Sequence, residues 1–411
     1  MKNRFQITIP VIAIVLAAFM PAVARADNLL RLFPLLQGNF LYTDNVKFTP
    51  SNAQGDFSSN FAGGFYLDVT TPKRYATLEY STFASLYLSH SNLDRGGQAQ
   101  FARITDEEDI APHTKINLYD WFVRDSPVIM AVTSGDRIPE FTPGFTEFLL
   151  ANNHVIINTF KADAAHAFNQ RWTGQFGIGQ ETISSEGGSA STLQAASMNL
   201  LYRVNEQFSI GPGYRFADFI FPSSTQPNSQ VQWPIAHAVW LPAKDLFAEG
   251  YIGPMVAYNT TGVARTRVDP GGVLSIRYNP RPFHIAVSGG QQPGLSAGLG
   301  AGGVTRFGQG DFAWDITRRI TFSANAGYSQ VLPAGVSAQL IGYSAGMSER
   351  TTSWLTVFAR YIGLRREYTG NPTAFTPGSL PSGTEFGRES VANYWAVGAS
   401  IAFEAFRWSW Q

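Results

Sequence analysis

Cysteine is absent from all 411 residues, which excludes disulfides, thiolate metal sites, iron–sulfur clusters and thiol nucleophiles. Charge is scarce: Lys, Arg, Asp and Glu make up 15% of the chain, against about a quarter in ordinary soluble domains. Long apolar runs are missing as well. The one at residues 11–20 is too short for a membrane helix, which needs about 20 apolar residues. Sustained helical periodicity is lacking beyond it. Nor is there a basic excess, since 30 Lys and Arg face 30 Asp and Glu; nothing points to nucleic acid as a partner.

What is present begins with an export signal. Lys2 and Arg4 precede the apolar run, and Ala24-Arg25-Ala26 supplies the small-x-small pattern of a cleavage site. Residues 1–26 are therefore expected to be a cleavable secretory signal and residues 27–411 a single domain. Losing Lys2, Arg4 and Arg25 leaves 27 basic against 30 acidic residues.

Aromatics reach 14% and mean hydropathy is −0.07, so apolar residues are interleaved with polar ones. The interleaving has a period of two. Phe61, Gly63, Phe65, Leu67 and Val69 alternate with Ala62, Gly64, Tyr66, Asp68 and Thr70. Leu78, Tyr80, Ala84, Leu86 and Leu88 oppose Thr77, Glu79, Ser81, Ser85 and Ser89. The same rhythm recurs around 172–178, 208–216 and 320–328. Such a period places one apolar and one polar face on each strand.

Short polar turns punctuate these runs at 71–74, 125–127, 169–171, 205–207, 242–245, 279–282, 317–319 and 350–352. From the third onward they recur every 33 to 38 residues, room for two strands and a longer loop. The opposite connections, at 184–191, 222–229, 289–303 and 368–389, are longer and rich in Gly, Ser, Thr, Asn and Pro. Short turns at one end and long loops at the other mark an all-β, transmembrane, antiparallel up-and-down β-barrel. Eight turns and nine loops predict about 18 strands, with 16 as the fallback and both termini on the periplasmic side. The pattern is weakest over 101–153. There Asp106-Glu107-Glu108-Asp109 reads as a solvated loop, with cation binding near lipopolysaccharide as the alternative, and strands are expected near 115–123 and 128–133. Closure follows from hydrogen bonding, because an open sheet edge in hydrocarbon leaves N–H and C=O groups unpaired.

Parity places nine charges on the polar faces: Asp68, Glu79, Lys161, Asp163, Arg215, Glu249, Arg277, Asp311 and Arg360. They are the candidates for lining a wet lumen, and their mixed signs predict weak ion selectivity. Aromatics bordering the turns (Tyr75, Trp172, Phe208, Trp240, Phe283 and Trp354) are expected to form a girdle at the headgroup level.

Tyr42-Thr43-Asp44-Asn45-Val46, the turn Asn169-Gln170-Arg171-Trp172 and the late segment Ser353-Trp354-Leu355-Thr356-Val357-Phe358-Ala359-Arg360-Tyr361 resemble outer-membrane β-barrel porin families, some of which accompany exopolysaccharide export systems. The resemblance is diffuse and spans nearly the whole chain after the signal. It implies an outer-membrane location after export through the periplasm, contact with outer-membrane lipid and lipopolysaccharide, help from the barrel assembly machinery, and polysaccharide-export components as candidate partners. Barrels of this kind usually end on an aromatic residue. Here Phe406, Trp408 and Trp410 alternate but Gln411 follows, so the closing strand either tolerates one more residue or ends at Phe403.

Catalytic signals are weak. Gly342-Tyr343-Ser344-Ala345-Gly346 has the form of a nucleophile elbow, which needs a later histidine and a following helix; the last histidine is His284. The six histidines (90, 113, 154, 166, 237 and 284) show no metal-ligand spacing. Residues 298–303 are glycine-rich without the strand–turn–helix setting of a phosphate loop. No enzyme activity, metal or cofactor is expected. The expected function is a water-filled pore for small solutes or export. The alternatives are a structural or accessory barrel of an exopolysaccharide export system without its own channel, and a soluble secreted β protein.

Overall fold

The computed structural model describes residues 28–410 apart from 47–48, 50, 94, 125–154, 186–189, 223–227, 260–265, 297–300, 333–335 and 371–387. The strands are β1 (Asn28–Thr43), β2 (Asp56–Thr70), β3 (Arg74–Tyr87), β4 (Arg95–Ala111), β5 (Thr114–Arg124), β6 (Val155–Ala167), β7 (Trp172–Ser185), β8 (Ser191–Arg203), β9 (Phe208–Ile220) and β10 (Ser229–Ala243). They continue as β11 (Leu246–Asn259), β12 (Thr266–Tyr278), β13 (Phe283–Ser296), β14 (Ala301–Asp315), β15 (Ile320–Leu332), β16 (Val336–Arg350), β17 (Leu355–Gly370), β18 (Glu389–Ala402) and β19 (Phe406–Trp410).

From β1 to β18 each strand pairs antiparallel with its sequence neighbour, and the sheet then meets itself. β1 pairs with β2 on one side and with β18 and then β19 on the other. Because β18 and β19 occupy successive stretches of β1, they form one stave, and the barrel has 18. The closing stave does not stop at Phe403. Leu35 pairs with Ala402 and Leu32 with Phe406, so Phe403, Glu404 and Ala405 stand opposite Phe33 and Pro34. This extra residue is a β-bulge, and it reverses parity. Ala396 and Ser400 share the face of Leu41 and Gln37, whereas beyond the bulge Arg407 takes the inward side opposite Arg31. Phe406 and Trp408 are thereby turned outward, each about half exposed.

The two faces differ in chemistry. Outward positions carry exposed apolar side chains such as Phe61, Phe176, Met198, Ile252, Val287 and Val397. Inward positions carry buried polar ones such as Asn39, Asn60, Asp68, Asn325 and Ser344. Polar side chains also interrupt the outer face, and several of them satisfy one another there, as poorly solvated polar groups must. Arg74 donates twice to Asp106 at 2.8 and 2.6 Å near a short turn, and Asn158 Nδ2 donates to Asp120 Oδ1 at 3.0 Å.

Five of the short turns share one local device. In each, a Thr or Asn side-chain oxygen accepts the backbone N–H groups two and three residues on: Thr71, Asn169, Asn205, Thr317 and Thr352. Asn and Thr recur there because a short side chain can stand in for a backbone acceptor. Replacing Asn169 with Ala removes two such bonds, and the turn is exposed to water that replaces them. The unfolding midpoint should therefore fall by no more than about 1 kcal/mol's worth, measured by denaturant titration in lipid vesicles.

Several expectations need correction. Asp106–Asp109 is not a loop: all four residues lie within β4, next to the short β4–β5 turn, at the end opposite the long connections. Alternation is broken there because Arg74 and Lys115 neutralise acids that would otherwise interrupt a strand. The second short turn is Pro112–His113, not 125–127, which lies outside the described residues together with 128–133. His113 takes a left-handed φ of 71° in that turn. Strands also reach further into the glycine-rich stretch than expected: β13 ends at Ser296 and β14 begins at Ala301. Tyr75 is not part of an outer girdle. It pairs with Thr70 on the inward face, and its hydroxyl lies 3.0 Å from that of Tyr66. The outward aromatics at this end instead meet in pairs, Trp172 tilted against Tyr202 with centroids 5.0 Å apart and Phe283 stacked on Trp314 at 5.9 Å.

Candidate functional site: the inner wall

The β1–β2 connection is clamped to the closing stave by the motif around Asp44. Its carboxylate accepts the backbone N–H of Asn393 at 2.8 Å and the Asn393 side-chain amide at 2.6 Å. Asn45, 2% exposed, donates to the carbonyls of Thr49 at 2.7 Å and Val391 at 2.8 Å. The bonds to Val391 and Asn393 bridge more than 340 residues of sequence, so this motif holds the barrel's seam. Asn45→Ala leaves buried acceptors unpaired and should cost about 1–3 kcal/mol, read as a lower temperature for conversion of the fast-migrating folded band to the slow unfolded one.

Below the seam, the nine candidate charges all lie on the inward face by register. They are spread around the circumference and do not converge on one centre. Asp68, 3% exposed, is gripped by Arg31 through two contacts of 2.9 and 2.7 Å. Glu79 is ion-paired to Arg103 on the adjacent strand.

The next five share the β6–β12 sector. Lys161 stands opposite Tyr119 and Gly179, and Asp163 opposite Asn117 and Gly177. Gly177 leaves the space that the Asp163 carboxylate uses: a Cβ there would sit 2.5 Å from Asp163 Oδ1 and 2.7 Å from Ser197 Oγ. Arg215 lies over the face of Tyr251, 3.6 Å from the ring centroid, and 5.8 Å from that of Trp233, a cation–π arrangement. Glu249 meets the buried His237 at 2.9 Å, and Arg277 stands opposite Phe247 and Ala286.

The last two lie further round. Asp311 faces Ala286 and Asn325 across its neighbours. Arg360, 8% exposed, lies over Gly346, where a Cβ would come 3.4 Å from its side chain. Ser344 is in mid-strand, its hydroxyl donating to Asn325 Oδ1 at 3.1 Å, and it leads into another strand rather than a helix.

The inner wall is not uniformly polar. Toward the end carrying the long connections, Phe83, Trp121, Ile157, Phe219, Trp233 and Met255 belong to one apolar cluster and are 0–6% exposed. The expected polar inner face therefore extends over only part of the height. Parity tells which face a residue takes; it does not reveal that inward apolar residues from many distant strands will line up at one level. Sequence reasoning also missed Arg31, Arg103 and His237 as inner-wall groups. Arg31 lies in a nearly unbroken apolar strand where neither face announces itself, and Arg103 falls in the stretch with the weakest alternation.

Solved structures offer parallels to this architecture. OccK2 (OpdF) of Pseudomonas aeruginosa, in complex with glucuronate, aligns over 91% of this chain and 98% of its own at 12% identity and a TM-score of 0.44. A BenF-like porin from Pseudomonas fluorescens covers 91% and 99% at 11% identity and a TM-score of 0.44. The barrel is similar to outer-membrane porins. The FrpB iron transporter of Neisseria meningitidis also aligns, over 84% of this chain and 63% of its own, at 10% identity and a TM-score of 0.39. No family model matches the sequence, and no curated protein matches it. The closed form of the barrel rests on its own strand pairing, above all on β1 with β18 and β19. Among its described residues no three His, Asp or Glu side chains converge as a metal site.

Proposed function

We propose that this chain is an outer-membrane pore passing small hydrophilic solutes. The observation that carries the reading is a ring closed on itself with charges such as Lys161, Arg215, Glu249 and Arg360 on its inner wall and exposed apolar residues outside. A barrel of 18 strands is wide enough for an aqueous interior, and charge on the inner wall is sustained only by water or by partners. The short turns, the start of β1 and the end of β19 share one end, which is the periplasmic side in such barrels. Lipopolysaccharide then surrounds the opposite end, and the closing stave ending in outward Phe406 and Trp408 suits recognition by an assembly machinery. No observation here favours an accessory barrel of an export system over a pore.

The buried apolar cluster bears on conductance. A hydrophobic level within a wet path raises the barrier to ions, so unitary conductance should be small for a barrel of this strand number. Purified protein added to planar bilayers should give stepwise current increments with weak ion preference. Replacing Arg215 and Arg360 with Gln should move the reversal potential toward cation preference. A barrel that inserts, is folded by its gel mobility and passes no current under any voltage or solute gradient overturns the pore.

A further inference from the structure

One cavity lies on the outside of the barrel, in the wall built by β9 to β13. Its floor is made of outward-facing small residues: Ala236 and Ala238 on β10, Ala248 and Gly250 on β11, and Gly272 on β12. Large apolar side chains stand around that floor, namely Trp240, Ile252 and Leu274, which are 48%, 70% and 53% exposed. The hollow measures about 580 Å³, within the roughly 300–1,000 Å³ of ordinary ligand sites. At Phe176, Met198 and Val397 the outer wall instead presents large side chains directly.

A second feature adjoins it. Ala248 pairs with Trp240, and the strands then run down to the Lys244–Asp245 turn. The neighbouring β12–β13 turn carries Arg281, and the two turns are joined by the Asn279 N–H donating to the Asp245 carbonyl at 2.8 Å. Lys244 and Arg281 are exposed and have no anionic partner among the described residues. Asp245 is the one acidic side chain on these two turns. An apolar trough in the lower half of the outer wall, a tryptophan at its foot and two free cations just below it are the complement of an acyl chain, its ester region and its phosphate.

We propose that this face holds one phospholipid of the periplasmic leaflet with an anionic headgroup, its chain in the hollow and its phosphate between Lys244 and Arg281. The proposal rests on the barrel spanning the outer membrane, and not on its conducting. The hollow is at the short-turn end, which leaves lipopolysaccharide in the opposite leaflet out of reach. Each cation near the surface contributes about 1 kcal/mol toward an anionic lipid, or about fivefold in binding.

The test uses the full-length protein in vesicles of phosphatidylcholine doped with phosphatidylglycerol. After gentle detergent extraction, native mass spectrometry reads the lipids retained on each barrel. Wild type should retain phosphatidylglycerol over phosphatidylcholine by at least about fivefold relative to their ratio in the vesicle. Lys244→Gln with Arg281→Gln should keep a bound lipid and lose the preference. Ala236→Phe with Ala238→Phe, an apolar change on an apolar outer face, should fill the hollow and retain neither lipid. Heat-dependent gel mobility shows whether each variant is folded. Equal retention of both lipids by wild type, or retention unchanged by filling, overturns the proposal, as does a dimer of wild type that filling dissociates. Failure of the barrel to enter vesicles at all would instead count against the membrane reading.

Discussion

An arginine at Val287 should lower the unfolding free energy in bilayers by about 2–4 kcal/mol, while one at the adjacent Ser288 should change it by less than about 1 kcal/mol. The two positions are consecutive on β13 and point to opposite sides. Val287 is 53% exposed on the outer wall, where a guanidinium near mid-span has hydrocarbon around it and no water within reach. Ser288 stands inward between Ser275 and Gln309, in the sector that also holds Glu249, Arg277 and Asp311. A charge there meets water and carboxylates. Denaturant titration of both variants in the same vesicles measures the difference. Equal costs, or the larger cost at Ser288, would mean that the wet and oily faces have been exchanged.

Removing the Arg31 side chain is expected to cost about 2 kcal/mol or more. Its two contacts hold the Asp68 carboxylate at 2.9 and 2.7 Å, and the Asp68 side chain is only 4% exposed against 31% for Arg31. Breaking a fully buried pair costs about 3–5 kcal/mol, because the survivor is left charged and unsolvated. The partial exposure of Arg31 reduces that figure through solvent screening. Arg31 also stands opposite Arg407 in the closing stave, so the pair ties β1 and β2 together beside the bulge. Arg31→Ala should therefore lower the temperature at which the folded gel band disappears. Arg31→Ala combined with Asp68→Ala should recover part of the loss, since no orphan carboxylate then remains. Strictly additive single-variant costs would show that the two groups do not act as a pair.

Strand identity was legible wherever a strand keeps one face dry and one wet. Leu78 against Glu79, Phe216 against Arg215 and Phe322 against Ser323 each announce their side in two residues, because lipid tolerates no alternative. Seven of the eight short turns were legible for a similarly local reason: Asn169, Thr317 and Thr352 bond their own backbone, and that chemistry is written in adjacent letters. The stretch over β4 failed because Asp106 and Glu107 are neutralised by Arg74 and Lys115, and a charge's partner on another strand leaves no mark in the local pattern.

By itself, then, the amino-acid order determined most of the staves, their number and the inward side of the nine candidate charges, since these depend on neighbours one and two residues apart. Tertiary structure alone decided which charges meet, where the bulge turns the last aromatics outward, that Asp44 and Asn45 lock the seam, and that apolar residues from many strands line up inside one end. Those outcomes depend on cross-strand register, which joins residues as distant as Asp44 and Asn393 and is set only when the sheet closes.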